Sequence, residues 1–385
     1  MFYYLYELAL TRAITKKSYQ LVGSPVQLLP KSILNLIYAF RCSHVMKTGL
    51  SQNPTKPFQV IRDDGSILVL PPDLLEELSS IPGQIASPNE ALEHDLLGPY
   101  TGLNLIIESR LHHSIVQRKL TPRLSLLTPE LEKELVSAVE DIIPSCDDWT
   151  EVKMYQLLGK VSARMAARAL VGPSLCRNKV WLDISVNYTE DHFYTIVILR
   201  LFPGWMRPVL CYLLPFYWKG KYHMRKAKNL LGPKLTELIR QNDAGQWSPD
   251  NKKKEDAHVL AWMIDTAKGD DRNVDTLAHL EVLLALASVY TTLLRMVNVL
   301  YDLTAKPEYF ALLEQEIKTE AKNGWSPSSY ANLHKLDSVL RESQRISPPT
   351  TLGMKRKFKT NYTFANGLHI PKDSYVCMPT HQSCQ

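Results

Sequence analysis

The clearest pattern along the chain is helical. Between residues 125 and 143, apolar positions fall at Leu127, Leu131, Leu135, Val139 and Ile142-Ile143, one stripe of a 3.6-residue period. Residues 152–170 repeat it through Leu157, Leu158, Val161, Met165 and Leu170, and Gly172-Pro173 closes the helix. Residues 306–317 and 335–345 read as shorter amphipathic helices. The longest candidate covers residues 273–303, apolar at Leu280, Val282, Leu283, Leu286, Val289, Leu293 and Val297, with few charges after Glu281. Some 30 residues of helix would span ~45 Å, and a helix apolar on nearly every side is expected to be buried.

Strand signals are fewer. Ser66-Ile67-Leu68-Val69-Leu70 reads as a strand ended by Pro71-Pro72, after which residues 73–78 start a helix with acids in its first turn. Beyond Gly353, two short β-prone runs (354–360 and 363–371) contain or flank Asn366-Gly367, a hairpin-turn signal. The predicted fold is mainly α with a small sheet, an α+β single domain over residues 21–385, preceded by a short apolar segment over residues 1–20.

Composition narrows the function. Of 385 residues 45% are apolar and 22% charged, an ordinary globular balance. The net charge of +6 is mild and gathers in patches such as Lys252-Lys253-Lys254 and Met354-Lys355-Arg356-Lys357. These read as solvated loops or turns, and with no aromatic-basic module beside them a nucleic-acid partner is not expected. The six cysteines (Cys42, Cys146, Cys176, Cys211, Cys377 and Cys384) show no CxxC pair and no metal-ligand spacing, so reduced thiols and no metal cluster are expected. Asn187-Tyr188-Thr189 and Asn361-Tyr362-Thr363 read as chance matches to the glycosylation pattern.

Residues 1–10 are apolar and aromatic, but Arg12, Lys16 and Lys17 cut the run short of the ~20 residues a spanning helix needs. They lack a small-residue cleavage site, and read as a surface-lying segment or the remnant of an anchor. Residues 193–219 are rich in Leu, Phe, Tyr, Trp and Pro, with Arg200, Arg207 and Lys219 spaced along them. Prolines exclude a single spanning helix there. An element lying at a membrane interface and a buried loop-helix segment both remain open. Residues 241–257 read as a polar surface loop.

Two clusters carry candidate chemistry. In the long helix, Ala285-Leu286-Ala287-Ser288-Val289-Tyr290-Thr291-Thr292 combines small residues, which leave room for a flat group, with two hydroxyls. Mid-helix threonines also commonly bond back to the carbonyl four residues earlier. In Arg341-Glu342-Ser343-Gln344-Arg345, Glu342 and Arg345 share a helix face at i and i+3.

In order, the long small-residue helix, the amphipathic helix near 306–317, the Glu342-x-x-Arg345 pair, Pro348-Pro349 and the basic 354–357 run resemble the cytochrome P-450 superfamily of haem-thiolate monooxygenases. The fungal secondary-metabolite branch is the most similar. Further matches follow in sequence, among them residues 120–124, 171–178, 201–208 and 366–371, so the resemblance covers about 20–380. It implies that Glu342 and Arg345 form a structural ion pair. It implies that Ala287 lies against haem, and that Thr291, with Thr292 beside it, handles the protons for O–O cleavage. Tyr290 stands where the family often has an acid. Arg118 would contact a haem propionate, with Ser114 in place of the family's tryptophan, and Arg356 would be a second propionate partner. Leu283, Tyr290, Pro349, Thr350, Thr351 and Leu352 would line the substrate pocket.

The family's haem loop, Phe-x-x-Gly leading to the proximal cysteine, is expected beyond residue 385. Neither Cys384 nor Cys377 has its glycine context, so no metal ligand is assigned and the chain as it stands is expected to be inactive. The resemblance implies an intact enzyme using haem, dioxygen and NADPH through a reductase on the cytosolic face of the endoplasmic reticulum membrane. Its substrate would be an apolar small molecule, a terpenoid or polyketide. The rival expectations are a non-catalytic remnant, from a disrupted gene or a misassigned splice site, and an unrelated helical binding protein.

Overall fold

The structure is a computed structural model that describes residues 2–14, 19–23, 29–62, 65–247, 257–322 and 324–380. The Lys252-Lys253-Lys254 patch and Cys384 lie outside the described residues. The chain divides into two compact units: Met1–Ile107 with Phe193–Tyr217 and Thr350–Gln385, and Glu108–His192 with Trp218–Pro349.

The first unit is built on a sheet. Its strands are β1 (Gln20–Leu21), β2 (Phe58–Arg62), β3 (Gly65–Val69), β4 (Ala86–Ser87), β5 (Leu352–Phe358) and β8 (Tyr375–Pro379), in the spatial order β1-β2-β3-β8-β5-β4. β2 and β3 form an antiparallel hairpin, β8 runs parallel to β3, and β5 lies antiparallel to β8 with an irregularity between Gly353 and Arg356. At that point Met354 takes a positive φ of 47°. Successive side chains leave opposite faces of a strand, and the core obeys this. Ile67, Val69, Tyr375 and Cys377 pack with Phe58, Val60, Val45 and Met46 on one face. Leu68, Leu70, Val376 and Met378 pack with Leu78, Phe358 and Phe364 on the other. A separate pair, β6 (Tyr362–Thr363) and β7 (His369–Ile370), closes around Asn366-Gly367, where Gly367 has φ +86°. Of these strands the sequence pattern foretold β3, most of β5 through the β-prone run 354–360, and the β6–β7 hairpin.

Helices α1 (Phe2–Ile14), α2 (Lys31–Gln52), α3 (Leu75–Ser80), α4 (Pro88–Asp95), α5 (Gly98–Thr101) and α11 (Arg207–Leu213) belong to this unit, and α6 (Leu105–Glu108) straddles its edge. The basic run 354–357, which the sequence offered both as a solvated patch and as part of a β-prone run, lies in β5. There Lys355 reaches Asp95 at 2.6 Å, and Arg62 holds the same carboxylate at 2.8 Å. Burial alone would raise the Asp95 carboxyl; the Arg62 and Lys355 cations outweigh it and hold it below its usual range.

Residues 193–217 contribute the end of α10 (Lys179–Arg200), a turn and α11. Of the segment's three basic residues, Arg200 and Arg207 turn inward while Lys219 is exposed. Arg200 donates to the carbonyls of His94 (2.7 Å) and Asp95 (3.0 Å), and buried Arg207 donates to Leu199 O. The aromatic and aliphatic residues face out instead, with Trp205 and Leu213 each 72% exposed and Val209 and Tyr212 close behind.

The second unit is helical: α7 (Leu111–Ile115), α8 (Leu124–Ile142), α9 (Met154–Leu170), most of α10, α12 (Pro215–Asp243), α13 (Val259–Thr266), α14 (Val274–Ala305), α15 (Glu308–Glu320), α16 (Pro327–Ala331) and α17 (His334–Ile346). The helix bounds follow the apolar periods closely. α14 has the length and apolarity of a membrane-crossing helix, yet 56% of its most apolar stretch is buried inside the protein. It packs on α9, where Ser162 Oγ donates to Val289 O at 2.8 Å. α9 ends at Gly172, whose φ of +81° suits glycine. A Cβ there would come within 2.1 Å of the His258 ring. α8 and α9 are joined by a charged ladder: Glu134 accepts from Arg164 and Arg177, Asp141 from Arg164, and Glu130 from Arg168.

Candidate functional site

Burial along α14 changes at its middle. Leu277, Ala278 and every residue from Leu280 to Ala285 are buried, but Ala287, Thr291 and Thr292 are exposed. The long helix is therefore not buried all round, as its composition suggested. One face opens where the side chains are small. That face borders a cavity of about 350 Å³ within the second unit, lined by Thr291, Thr292, Arg295, Gln344, Ser347 and Pro349 among others.

The hydroxyl of Thr291 bonds back along its own helix, to Ala287 O at 2.8 Å and Ser288 O at 3.2 Å. It is thus held by the helix and still borders open space. Tyr290 points elsewhere: it packs beside Leu158, Leu293 and Val297, and its hydroxyl donates to Glu190 at 2.5 Å. Arg295, one turn beyond Thr291, ties α14 to α17 by donating to Leu340 O at 3.2 Å and to Gln344. Asn298 adds a bond to Ser347 O.

Glu342 and Arg345 form the two-pronged pair their spacing implies, Nε to Oε2 at 2.8 Å and Nη2 to Oε1 at 2.7 Å, on an open face of α17. The Arg345 guanidinium draws the Glu342 carboxyl below its usual range. Of the remaining pocket candidates, Leu283 is closed into the α14 core and Leu352 into the sheet core. Thr350 and Thr351 are exposed at the start of β5, and Thr380 binds both of their carbonyls. Thr291, Thr292 and Pro349 therefore share one cavity, and Leu283, Tyr290 and Leu352 do not line it.

Sequence reasoning missed Arg295, Asn298, Gln344 and Ser347. A signal existed, since Arg295 is the sole charge between Glu281 and Asp302 in an otherwise apolar helix, one turn from Thr291.

Two guanidinium groups were expected to meet acidic groups of a cofactor. Arg356, half-buried on β5 in the first unit, has a buried Nε with no hydrogen-bond partner among the described residues, and burial draws its pKa down. Only its Nη1 is used, on Lys355 O at 3.0 Å. This group fits a propionate. Arg118, in the second unit, is exposed on the turn 116–120, and no carboxylate among the described residues pairs with it. The thiolate is another matter. Cys377 is fully buried in β8, and burial pushes its thiol up to about 12. Burial also raises Cys176, and Cys211 is buried too. Cys146 is exposed, and its thiol donates to Pro144 O at 3.4 Å. None of the described cysteines lines the cavity beside α14, so the described residues offer a partner to an acidic group of haem but show no ligand for its iron.

Comparison with known proteins draws the two halves of this picture together. The family model for Cytochrome P450 matches residues 67–383. The cytochrome P450 monooxygenase AN1598 of Emericella nidulans is 36% identical over 91% of this chain and 66% of its own length. The cytochrome P450 monooxygenase olcJ of Penicillium canescens is 35% identical over 99% of this chain and 72% of its own. An ent-kaurene oxidase of Gibberella intermedia is 31% identical over 92% and 66%. The chain thus spans about two thirds of the length of these relatives. A solved structure, retinoic acid-bound cyanobacterial CYP120A1, shares the fold with a TM-score of 0.60 at 18% identity, covering 90% of this chain and 74% of that one. The mainly helical fold, the open mid-helix face of α14 and these alignments agree: the chain belongs to the cytochrome P450 family.

Proposed function

We propose that the chain is the greater part of a haem-dependent monooxygenase that oxidises an apolar small molecule of fungal secondary metabolism, a terpenoid or polyketide. The open face of α14 carries this reading. A small-residue stretch with a helix-held hydroxyl at Thr291, set in an otherwise apolar helix, suits a flat cofactor and an apolar substrate better than a polar one. The relatives support it, being monooxygenases and an ent-kaurene oxidase. In this reading Arg118 and Arg356 would each hold an acidic group of haem, Ala287 would leave room for the flat cofactor, and Thr291 with Thr292 would hold and move a proton. Glu342 and Arg345 keep α17 in shape. Haem supplies the oxygen chemistry, and electrons come from NADPH through a reductase.

Titration of the purified 385-residue polypeptide with haemin tests this. Haemin is expected to bind, and Arg356→Leu to weaken binding ~10-fold, the worth of one charge-assisted pair. Because no described cysteine lines the cavity beside α14, the ferrous carbonyl complex is expected to lack the red-shifted band of thiolate ligation, and turnover to be absent. A folded polypeptide that ignores haemin would overturn the assignment, and a red-shifted carbonyl band would overturn the expectation of inactivity.

The outward apolar row Trp205, Val209, Tyr212 and Leu213 supports residence at a membrane surface, as an endoplasmic reticulum location on the cytosolic face requires. Each buried apolar side chain contributes about 1.5–3 kcal/mol. Trp205→Ser with Leu213→Ser is therefore expected to cut co-flotation with phosphatidylcholine vesicles ~10-fold or more. Equal flotation of the variant would assign membrane contact elsewhere.

A further inference from the structure

A hollow in the first unit lies far in sequence from α14 and α17. It holds about 650 Å³ between α2 and β1 and is lined by Leu21, Val22, Leu36, Ile37, Phe40 and Arg41, with His44 and Thr48 further along. A second hollow of about 530 Å³ shares Phe40, Arg41 and His44 and adds Ser43 and Lys47. The lining positions of α2 fall on one face by helical spacing. They grade from apolar (Leu36, Ile37, Phe40) to cationic (Arg41, Lys47), with His44 between the two cations, along the helix.

Three observations say that this face is unfinished. Phe40 is 79% exposed, an unusual cost for an aromatic ring with nothing against it. Arg41, His44 and Lys47 have no ion-pair or hydrogen-bond partner among the described residues, so three basic side chains stand together without a carboxylate. Arg41 also leaves helical geometry (φ −130°, ψ 24°), which places its guanidinium at a break in α2. The hollow has the size of a pocket for one small ligand. An apolar trough that ends in uncompensated cations matches a molecule with a single apolar chain and an anionic head.

We propose that this groove binds a free long-chain carboxylate, its chain along Leu21, Val22, Leu36 and Ile37 under Phe40 and its head at Arg41, His44 and Lys47. The volume suits one chain and one head, which favours a monomeric acid over a two-chain bilayer lipid. None of the groove's lining residues has a part in the proposed function, so its test does not depend on that reading.

The test measures binding of palmitate and of hexadecanol, each below its aggregation limit, to the 385-residue polypeptide by calorimetry, without haem. Palmitate is expected to bind with one-to-one stoichiometry, and hexadecanol at least ~10-fold more weakly for want of a charged head. Arg41→Glu with Lys47→Glu is expected to weaken palmitate ~10-fold or more while leaving the melting temperature unchanged, since both side chains are exposed. Ile37→Asp is expected to weaken palmitate and hexadecanol alike. Equal palmitate affinity in the charge-reversed variant, or hexadecanol binding as tightly as palmitate, would overturn the proposal. So would binding confined to phosphatidic acid vesicles with none to monomeric palmitate.

Discussion

Glu134→Ala is expected to destabilise the helical unit by about 3–5 kcal/mol, the cost of stripping the partner from a buried charge. Its side chain is 7% exposed, as is that of Arg164. The carboxylate takes Nε of Arg164 on one oxygen and Nη2 of Arg177 on the other at 2.8 Å. Without it, Arg164 keeps Asp141 at 2.6 Å and Ser137 at 2.9 Å, so the lower end of the range applies. Asp141 and Arg177 lie on the open rim of the network and keep their water. Arg177→Ala, which removes a solvated partner, is expected to cost under ~1 kcal/mol. Burial alone would raise the Glu134 carboxyl, but the hydrogen bonds from Arg177 and Arg164 prevail and hold it below its usual range. A depressed folded-state pKa gives stability that is present above the unfolded value, near ~4.3, and is lost as pH falls through the folded one. Wild-type protein should therefore lose stability on acidification more steeply than Glu134→Gln. Urea unfolding at neutral and acidic pH checks both statements. An alanine variant as stable as wild type would mean that Arg164 needs only its rim partners.

What the sequence made legible follows from periodicity. α8, α9 and α14 announce themselves through apolar residues that recur at helical spacing, and their bounds fall within two or three residues of the reading. β2 and β8 did not. Phe58–Arg62 and Tyr375–Pro379 are buried at every position, so no alternation of polar and apolar residues marks them as strands. Residues 193–219 were legible in composition but not in direction. Whether an arginine faces a headgroup or a carbonyl is decided by tertiary partners, here His94 and Asp95, about a hundred residues away in sequence. The site divides in the same way. Thr291 and the Glu342–Arg345 pair could be placed from their spacing and family order. Arg295 and Gln344 could not, because their bond joins residues 49 apart. Nothing in the local sequence shows that Tyr290 turns to Glu190 rather than toward the cavity.

A second glutamate gives the opposite prediction. Glu281→Met is expected to stabilise the protein at neutral pH by about 1–3 kcal/mol, the usual cost of burying a polar group that finds no hydrogen bond. Glu281 sits in the buried first half of α14, wholly covered, and neither carboxyl oxygen has a hydrogen-bond partner among the described residues. Burial pushes its pKa well above the ordinary range, and the nearby charge of Lys234 offsets only part of this. Methionine keeps a similar shape and removes both oxygens. The sign of the pH effect is the reverse of that at Glu134. A carboxyl whose folded-state pKa is raised keeps its proton in the folded state while the unfolded state gives it up. Stability is then lost as pH rises from the unfolded value, ~4.3, towards the folded one, and the penalty stays constant above it. Glu281→Met should therefore gain most over wild type at neutral and alkaline pH and least near pH ~4. Thermal melts across that range measure the difference. A loss of stability in Glu281→Met would show that the carboxyl is satisfied after all, by a buried water bridging it to its surroundings. In that case Glu281→Gln, which can keep part of such a bridge, should be the milder of the two changes. If the bridge is absent, glutamine removes only the pH-dependent loss while methionine also removes the unpaired polar atoms, so methionine should stabilise more than glutamine, and the order of the two variants separates an orphaned acid from a hydrated one.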